Sequence, residues 1–298
     1  MKSLLFIYNP TSGKSKLPGE LAAVLDVFTK AGYLVTTYPT QCKGDAARAA
    51  RELGSTFDLV VCSGGDGTLS ETVSGLMELD QRPPLGYIPA GSTNDCAKSL
   101  RLPKDMTKAA ALVVSDRAPR PWDVGTLNGK PFVYIAAFGA FTEVSYDTPQ
   151  ELKHAFGHLA YVLAGIVSIP SITPYHLKVE YDGKVIEDDF FYGMVCNTVS
   201  VGGMKTLHSD QVVLDDGLFE VVLVKRPLSL MELANGIQAL FHQSPTEEGS
   251  ALLSFRTSKV TFTCDKPIPW TLDGEYGGNE LVNVVENHSK AITIYQGE

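Results

Sequence analysis

Apolar and polar positions alternate in blocks through the first third of the chain. Residues 4–8, 33–37, 57–62 and 85–88 are short runs rich in aliphatic, β-branched and aromatic side chains, and each predicts a strand. Between them, residues 20–31 place Leu21, Val24, Leu25 and Phe28 on one face and stop at Gly32, which predicts a helix. Residues 45–53 are alanine-rich and stop at Gly54, while residues 68–77 carry Leu69, Val73, Leu76 and Met77 at helical spacing. Residues 93–100 and 105–115 predict two further helices. Strands that alternate with helices in this way build a parallel sheet covered on both faces, a Rossmann-like α/β unit.

The pattern changes after Ala118-Pro119-Arg120-Pro121, a proline-stiffened connector. Beyond it the runs read as antiparallel. Asn128-Gly129 and Asp182-Gly183 are hairpin signals between strand-like segments. Strands are expected at residues 123–127, 132–138, 176–182, 185–197, 218–225, 252–264, 281–286 and 292–295, with helices at 151–169 and 229–243. The second helix opens on a capping box, Ser229 and Glu232. The expected organisation is a nucleotide-binding α/β domain over residues 1–121 and an antiparallel β-sandwich substrate domain with helices over 122–298. The last strands could instead return to the first domain.

Charge and cysteine content narrow the function classes. A net charge of −9 and a pI near 5.2 argue against nucleic acid, and against attraction of the whole molecule to acidic lipid. Any membrane contact would be local. Five scattered cysteines, none spaced C-x-x-C, fit buried thiols in a reducing compartment. The longest apolar stretch, residues 159–169, ends at Pro170 and is about half of a spanning helix. The expectation is a soluble intracellular protein.

Ligands of an open parallel sheet bind beyond the carboxyl ends of its strands. The turns at those ends are residues 9–13, 40–41, 63–68 and 89–95, built mostly from Gly, Ser, Thr, Asn and Asp. The densest is Cys62-Ser63-Gly64-Gly65-Asp66-Gly67-Thr68-Leu69-Ser70-Glu71. Glycines let peptide N–H groups approach a phosphate, and a helix N-terminus favours its charge. Taken alone this is a glycine-rich turn with Asp66 as helix cap. Other motifs fail. Gly13-Lys14-Ser15 lacks the Walker A glycine, because Tyr8 occupies its position; the dinucleotide fingerprint meets Ser70 where Gly or Ala is needed. His154 and His158 lack the glutamate of a zinc protease, with Ala155 in its place. Pro89-Ala90-Gly91-Ser92-Thr93-Asn94-Asp95 has more polar groups than one helix cap needs. Asp215-Asp216-Gly217 could be a turn or an oxygen site for Mg²⁺, and Asp273-Gly274-Glu275 reads as a hairpin tip.

In order, Asn9-Pro10-x-Ser12-Gly13, Gly64-Gly65-Asp66-Gly67-Thr68-x-x-Glu71, Pro89-x-Gly91-Ser92-x-Asn94-Asp95, Asp215-Asp216-Gly217 and Asp273-Gly274-Glu275 closely resemble the diacylglycerol kinase catalytic-domain family. The family includes soluble bacterial lipid kinases and the sphingosine and ceramide kinases. The likeness runs nearly end to end, and Lys153-x-x-x-Gly157-x-x-x-Tyr161 favours the lipid branch over NAD kinases. Ser70 stands where the family usually has Asn, and Ser92 where it usually has Thr.

The resemblance implies an ATP- and Mg²⁺-dependent lipid kinase acting at the cytoplasmic face of a membrane. Diacylglycerol, giving phosphatidic acid, is the leading acceptor. It implies ATP held by Asn9, Pro10, Thr11, Ser12, Gly13, Thr40, Gly64, Gly65, Asp66, Gly67, Thr68, Glu71, Ser92 and Asn94. Catalytic Mg²⁺ would sit near Asp66 and Asp95, and Glu275 would be the general base. A structural Mg²⁺ would be held by Asp216 with the Val213 and Leu218 carbonyls, and Asp123 would join the charged network. An apolar lipid cleft is expected around Phe138, Phe141, Leu159 and Tyr161, rimmed by Lys14, Lys16 and Lys153. The alternatives are an NAD kinase-like nucleotide kinase and a catalytically silent lipid binder; a homodimer through the sandwich is a further open expectation.

Overall fold

Four parallel strands form where the apolar runs predict them: β1 (Lys2–Tyr8), β2 (Tyr33–Pro39), β3 (Leu59–Gly64) and β4 (Leu85–Pro89). The computed structural model describes residues 2–12, 17–139, 174–198, 200–201, 204–205, 213–225 and 252–297. Side by side the strands run β2-β1-β3-β4, all parallel. The order reverses at β1, whose neighbours come from opposite sides of the chain's winding. A crevice at the carboxyl end of β1 is therefore the place such a sheet offers a ligand.

Period-two alternation along β1 sorts its side chains between two cores. Leu4 and Phe6 face α1 (Leu17–Lys30) and α5 (Met106–Val113), packing with Val24, Phe28, Ala109 and Val113. Leu5 and Ile7 face the other layer, made by α2 (Asp45–Leu53), α3 (Asp66–Met77) and α4 (Asp95–Ser99). There they meet Ala49, Leu69, Val73 and Cys96. Each fully buried aliphatic or aromatic side chain of this kind contributes roughly 1.5–3 kcal/mol.

The remaining described strands are antiparallel: β5 (Arg120–Leu127), β6 (Lys130–Phe132), β7 (Ile135–Gly139), β8 (Tyr175–Tyr181), β9 (Lys184–Cys196), the short pair β10 (Ser200–Val201) and β11 (Met204–Lys205), β12 (Phe219–Lys225), β13 (Leu252–Thr257), β14 (Lys259–Cys264), β15 (Trp270–Leu272), β16 (Glu275–Gly278) and β17 (Val282–Ile294). All but β10 and β11 join one branched sheet with the parallel strands. The seam is β17. Its first half pairs with β14, and its last residue, Ile294, pairs parallel with β4 at Leu85.

Both hairpin dipeptides turn as their residues predict, with positive φ at Asn128, Gly129, Asp182 and Gly183. Three expected strands differ in extent. Residues 132–138 break at Val133-Tyr134, where the backbone bends to bond the Asp273 carboxylate. Residues 252–264 break at Ser258, whose carbonyl accepts from Asn287 N–H at 2.8 Å. Residues 281–286 and 292–295 instead form one strand, β17, whose pairing with β5 shifts register between His288 and Ile292. The expected helices at 151–169 and 229–243 lie outside the described residues. Phe138 is fully buried, with ring centroids 4.8 Å from Trp270 and 5.8 Å from Phe262. It belongs to the antiparallel core and not to a lipid cleft; Phe141, Leu159, Tyr161, Lys14, Lys16 and Lys153 lie outside the described residues.

Candidate active site

The carboxyl ends of the parallel strands are tied to one another just where the polar turns begin. Asn9 N–H donates to the Ser63 carbonyl at 2.9 Å, Thr40 N–H to Tyr8 at 2.9 Å, and Ala90 N–H to Gly64 at 2.8 Å. Asn9 Oδ1 then accepts from both the N–H and the hydroxyl of Thr11, which curls the first turn over the crevice. In the third turn, Thr68 and Leu69 N–H close onto the Gly65 carbonyl at 3.0 and 3.2 Å. Helix geometry leaves the Asp66 and Gly67 N–H groups without an intrahelical acceptor. The fourth turn is braced by Asn94, which takes φ 51° and bonds Gly91 in both directions, at 2.9 and 2.8 Å.

The first three of these turns, the β2–α2 loop and the β15–β16 hairpin line a pocket of about 450 Å³. Its wall brings together nine of the residues expected at the site: Asn9, Thr11, Ser12, Thr40, Gly65, Gly67, Thr68, Glu71 and Glu275. Gln41, Cys42, Lys43 and Ala46 complete it. Gln41 lies in the 40–41 turn expected at a strand end, whereas Cys42, Lys43 and Ala46 escaped notice because the β2–α2 loop carries no glycine-and-acid signature. Its shape comes from Asp45, which accepts from Gln41 N–H at 2.8 Å and from the Tyr38 hydroxyl at 3.0 Å and pairs with Arg48. Pro10, Gly64, Asp66, Ser92, Asn94 and Asp95 are not in the wall, and Gly13 lies outside the described residues.

The acids behind the pocket have distinct tasks. Asp66 caps α4 by accepting from Asp95 N–H at 2.9 Å and Cys96 N–H at 3.1 Å. Burial pushes its carboxyl above the usual carboxylate range, against the pull of those two bonds. Asp95 is buried and carries Lys98 at 3.1 Å. Glu71 accepts from Gly44 and Ala46 N–H, at 2.8 and 3.3 Å, and so pins the β2–α2 loop to α3. Glu275 is exposed and pairs with Lys43 across the pocket.

Glu275 is presented by a two-residue turn, Asp273-Gly274, with φ of 51° and 84°. Asp273 is the anchor of that turn and was not singled out by its own chemistry. Its two oxygens accept from Val133, Tyr134 and Ile135 N–H at 2.7, 3.0 and 3.1 Å and from the Ser70 hydroxyl at 2.6 Å. Burial nevertheless pushes its carboxyl up to about 6. A strand interruption such as Val133-Tyr134 leaves three adjacent N–H groups to satisfy, and a buried acid satisfies them.

A second acid group lies around the loop at residues 213–218. Asp123 is buried and accepts from Gly217 N–H and Lys290 N–H, both at 2.6 Å, while its own N–H donates to the Leu214 carbonyl at 2.8 Å. Asp216 pairs with Arg256 and accepts from Leu218 N–H at 3.0 Å. Asn197 reaches the Leu214 carbonyl at 3.4 Å, and neighbouring Thr198 meets Ser99 at 2.7 Å. Ser99 lies at the end of α4, four residues from Asp95. Asp123 and the Asp216 loop are thus brought together, and a run of polar contacts joins them to α4.

Comparison with known proteins covers both halves. Residues 3–127 match the diacylglycerol kinase catalytic domain, and residues 138–295 match the YegS C-terminal NAD kinase beta sandwich-like domain. A diacylglycerol kinase of Bacillus subtilis (strain 168) is 40% identical over 95% of this chain and 94% of its own. One from Staphylococcus carnosus (strain TM300) is 34% identical over 99% and 95%. The crystal structure of a Bacillus anthracis (strain Sterne) diacylglycerol kinase covers 99% of this chain and 97% of its own with a TM-score of 0.76, at 24% identity. A second structure from that organism reaches 0.80 at 25% identity, over 99% and 98%.

Proposed function

Because this chain belongs to the diacylglycerol kinase catalytic-domain family, we propose that it is a lipid kinase that moves the γ-phosphoryl group of ATP to a lipid hydroxyl, with diacylglycerol as acceptor and phosphatidic acid as product. The observation that carries this reading is the single pocket that holds the open end of α3, the hydroxyl-rich turns and the Glu275 carboxylate in one wall. Phosphoryl transfer asks for little more than positioning and charge stabilisation. Backbone N–H groups at Asp66 and Gly67, with the hydroxyls of Thr11, Ser12, Thr40 and Thr68, suit a triphosphate. Glu275 suits the role of base toward the acceptor hydroxyl.

The donor set also suits Mg²⁺. Among the described residues no three His, Cys, Asp or Glu side chains gather closely enough to hold a metal by themselves. Mg²⁺ needs no such group, since one or two carboxylates suffice when phosphate oxygens and water complete its shell. Asp66 and Asp95 would hold it, and it would neutralise charge on the phosphate oxygens. At Asp216 a cation would share or replace Arg256 as partner. Among the described residues no helix is long and apolar enough to cross a membrane. A lipid acceptor would be met at the membrane surface, where the chain would sit as a peripheral protein.

The test is phosphate transfer from labelled ATP to diacylglycerol, phosphatidylglycerol and a sphingoid base in mixed micelles, with NAD as the water-soluble control. Mg²⁺-dependent label in phosphatidic acid is the expected result. Label in phosphorylated NAD, or none in any lipid, would overturn the reading.

A further inference from the structure

Lys43 is the one Lys or Arg among the described residues that wall the pocket, and it is built into a loop whose root is fixed while its own side chain is exposed. The root is held by Glu71, through Gly44 and Ala46 N–H, so the Lys43 Cα keeps its place beside the start of α3. The side chain is a four-carbon stem whose ammonium pairs with Glu275 Oε2. Both partners are largely exposed, with side chains 74% and 58% accessible. An exposed pair of this kind is held only weakly, so a better anion displaces it readily. A phosphate offers that better anion, since it carries more charge and three acceptor oxygens.

We propose that Lys43 is a phosphate-binding residue with two partners in turn: Glu275 while the pocket is empty, and the terminal phosphate of ATP once the nucleotide arrives. The inference rests on the reading of the pocket as an ATP site and of Glu275 as base. While Lys43 holds Glu275, the base is occupied. Transfer of the ammonium to the γ-phosphate frees that carboxylate and places a positive charge on the group to be moved. The acceptor hydroxyl then gives its proton to Glu275, and its oxygen bonds to the γ-phosphorus. The bond from γ-phosphorus to the β,γ-bridging oxygen breaks and leaves its electron pair on ADP. Such a device keeps the base engaged until a triphosphate is present, so it selects ATP over ADP by charge and reach, not by recognition of the base or sugar.

Equilibrium binding of ATP, ADP and AMP to the full chain, without lipid, separates the outcomes. Lys43→Met is expected to weaken ATP about tenfold, the scale of one charge-assisted bond, and to leave AMP unchanged. Lys43→Arg restores most of the loss. Glu275→Gln is expected to tighten ATP about twofold to fivefold by releasing Lys43, and this gain disappears when Glu275→Gln is combined with Lys43→Met. ATP affinity that ignores Lys43→Met overturns the inference. So does an equal gain from Glu275→Gln with and without Lys43, because plain repulsion between Glu275 and phosphate would then explain it. A wild-type chain that binds no ATP overturns the ATP-site reading itself, and the inference with it.

Discussion

Ser70 on α3 donates its hydroxyl to Asp273 Oδ2 at 2.6 Å, across 203 residues of sequence. The bond joins the helix whose open end faces the pocket to the turn that presents Glu275. Three backbone N–H groups from the β6–β7 break hold the same carboxylate. Glu275 itself is exposed and flexible in type, so its position over the pocket is set from behind by Asp273. Removing one of the four donors should loosen the turn without dismantling it. Ser70→Ala is expected to cost about 1 kcal/mol of stability. It should lower kcat severalfold while the KM for ATP moves little, because the pocket's hydroxyls and N–H groups are untouched. Urea unfolding and steady-state kinetics check both, and an unchanged kcat would detach Ser70 from the placement of the base.

Asp273 also gives the fold a pH dependence with a definite sign. Burial raises its carboxyl from an ordinary 3.8 to about 6, so between those values the folded chain holds a proton that the unfolded chain has lost. Stability linked to this group is therefore greatest below pH 4 and falls as pH rises through 6. The span amounts to roughly 3 kcal/mol at most, at 1.36 kcal/mol per unit. Asp273→Asn has no such slope. It should be less stable than wild type throughout, because its amide N–H₂ would meet donors where Oδ2 now accepts. The gap should narrow between pH 4.5 and pH 7. Urea unfolding at pH 4.5, 5.5 and 7 measures it. A gap that widens with pH would mean that the four donors outweigh burial in setting the protonation of Asp273.

Much of this arrangement could be read from the residues alone, and the limits have physical causes. Hydrophobic period and glycine stops located β1 to β4 and their helices, because each is decided by neighbours within a few positions. Seven of the pocket residues were legible for the same reason, since phosphate-type turns need Gly, Ser, Thr and Asn in short compass; Glu71 and Glu275 were legible only through the family resemblance. Lys43 was not legible, since a lone lysine in a loop carries no spacing signal; only the tie from Glu71 to Gly44 shows that it is aimed. The anchoring role of Asp273, as opposed to its place in a hairpin tip, was invisible for a related reason. Its donors lie about 140 residues away in sequence, and the apolar run 132–138 gives no hint that it breaks to offer them. The single strand β17 was missed because Asn287, His288, Ser289 and Lys290 read as a loop, yet Asp123 and the pairing to β5 carry the strand through them.

Gly91 is required by the close approach of two turns. A Cβ there would lie 2.6 Å from Gly65 Cα and 2.6 Å from Asn94 Oδ1, and the first of these contacts is backbone that cannot swing aside. Gly91→Ala should therefore push the β4–α4 turn away from the start of α3 and break the paired bonds between Gly91 and Asn94. The expected cost is about 1–3 kcal/mol, as for other overpacked sites. The affinity for ATP should fall at least tenfold, because the N–H groups at Asp66 and Gly67 shift with Gly65. Calorimetric titration of ATP into a variant shown to be folded by circular dichroism tests this. Wild-type affinity would mean that the glycine loop does not contact the nucleotide.

Asp123 and Asp216 lie at one loop but should respond differently to Mg²⁺. Asp123 is buried and satisfies the N–H groups of Gly217 and Lys290 at 2.6 Å each, with no cation needed. In Asp123→Asn, one amide face turns a donor toward a donor, which costs about 1–3 kcal/mol whether or not metal is present. Asp216 is partly exposed, and its pair with Arg256 contributes little by itself. If Mg²⁺ binds there, it stabilises only the folded state, by about 2.7 kcal/mol at one hundred times its Kd. Wild type should then melt higher in Mg²⁺ than in EDTA. Asp216→Asn should melt near wild type in EDTA and gain nothing from Mg²⁺. Asp123→Asn should melt lower in both. Thermal unfolding of the three proteins in the two buffers decides the matter: an equal Mg²⁺-induced rise in Asp216→Asn would remove the cation from this loop and leave Arg256 as the partner of Asp216.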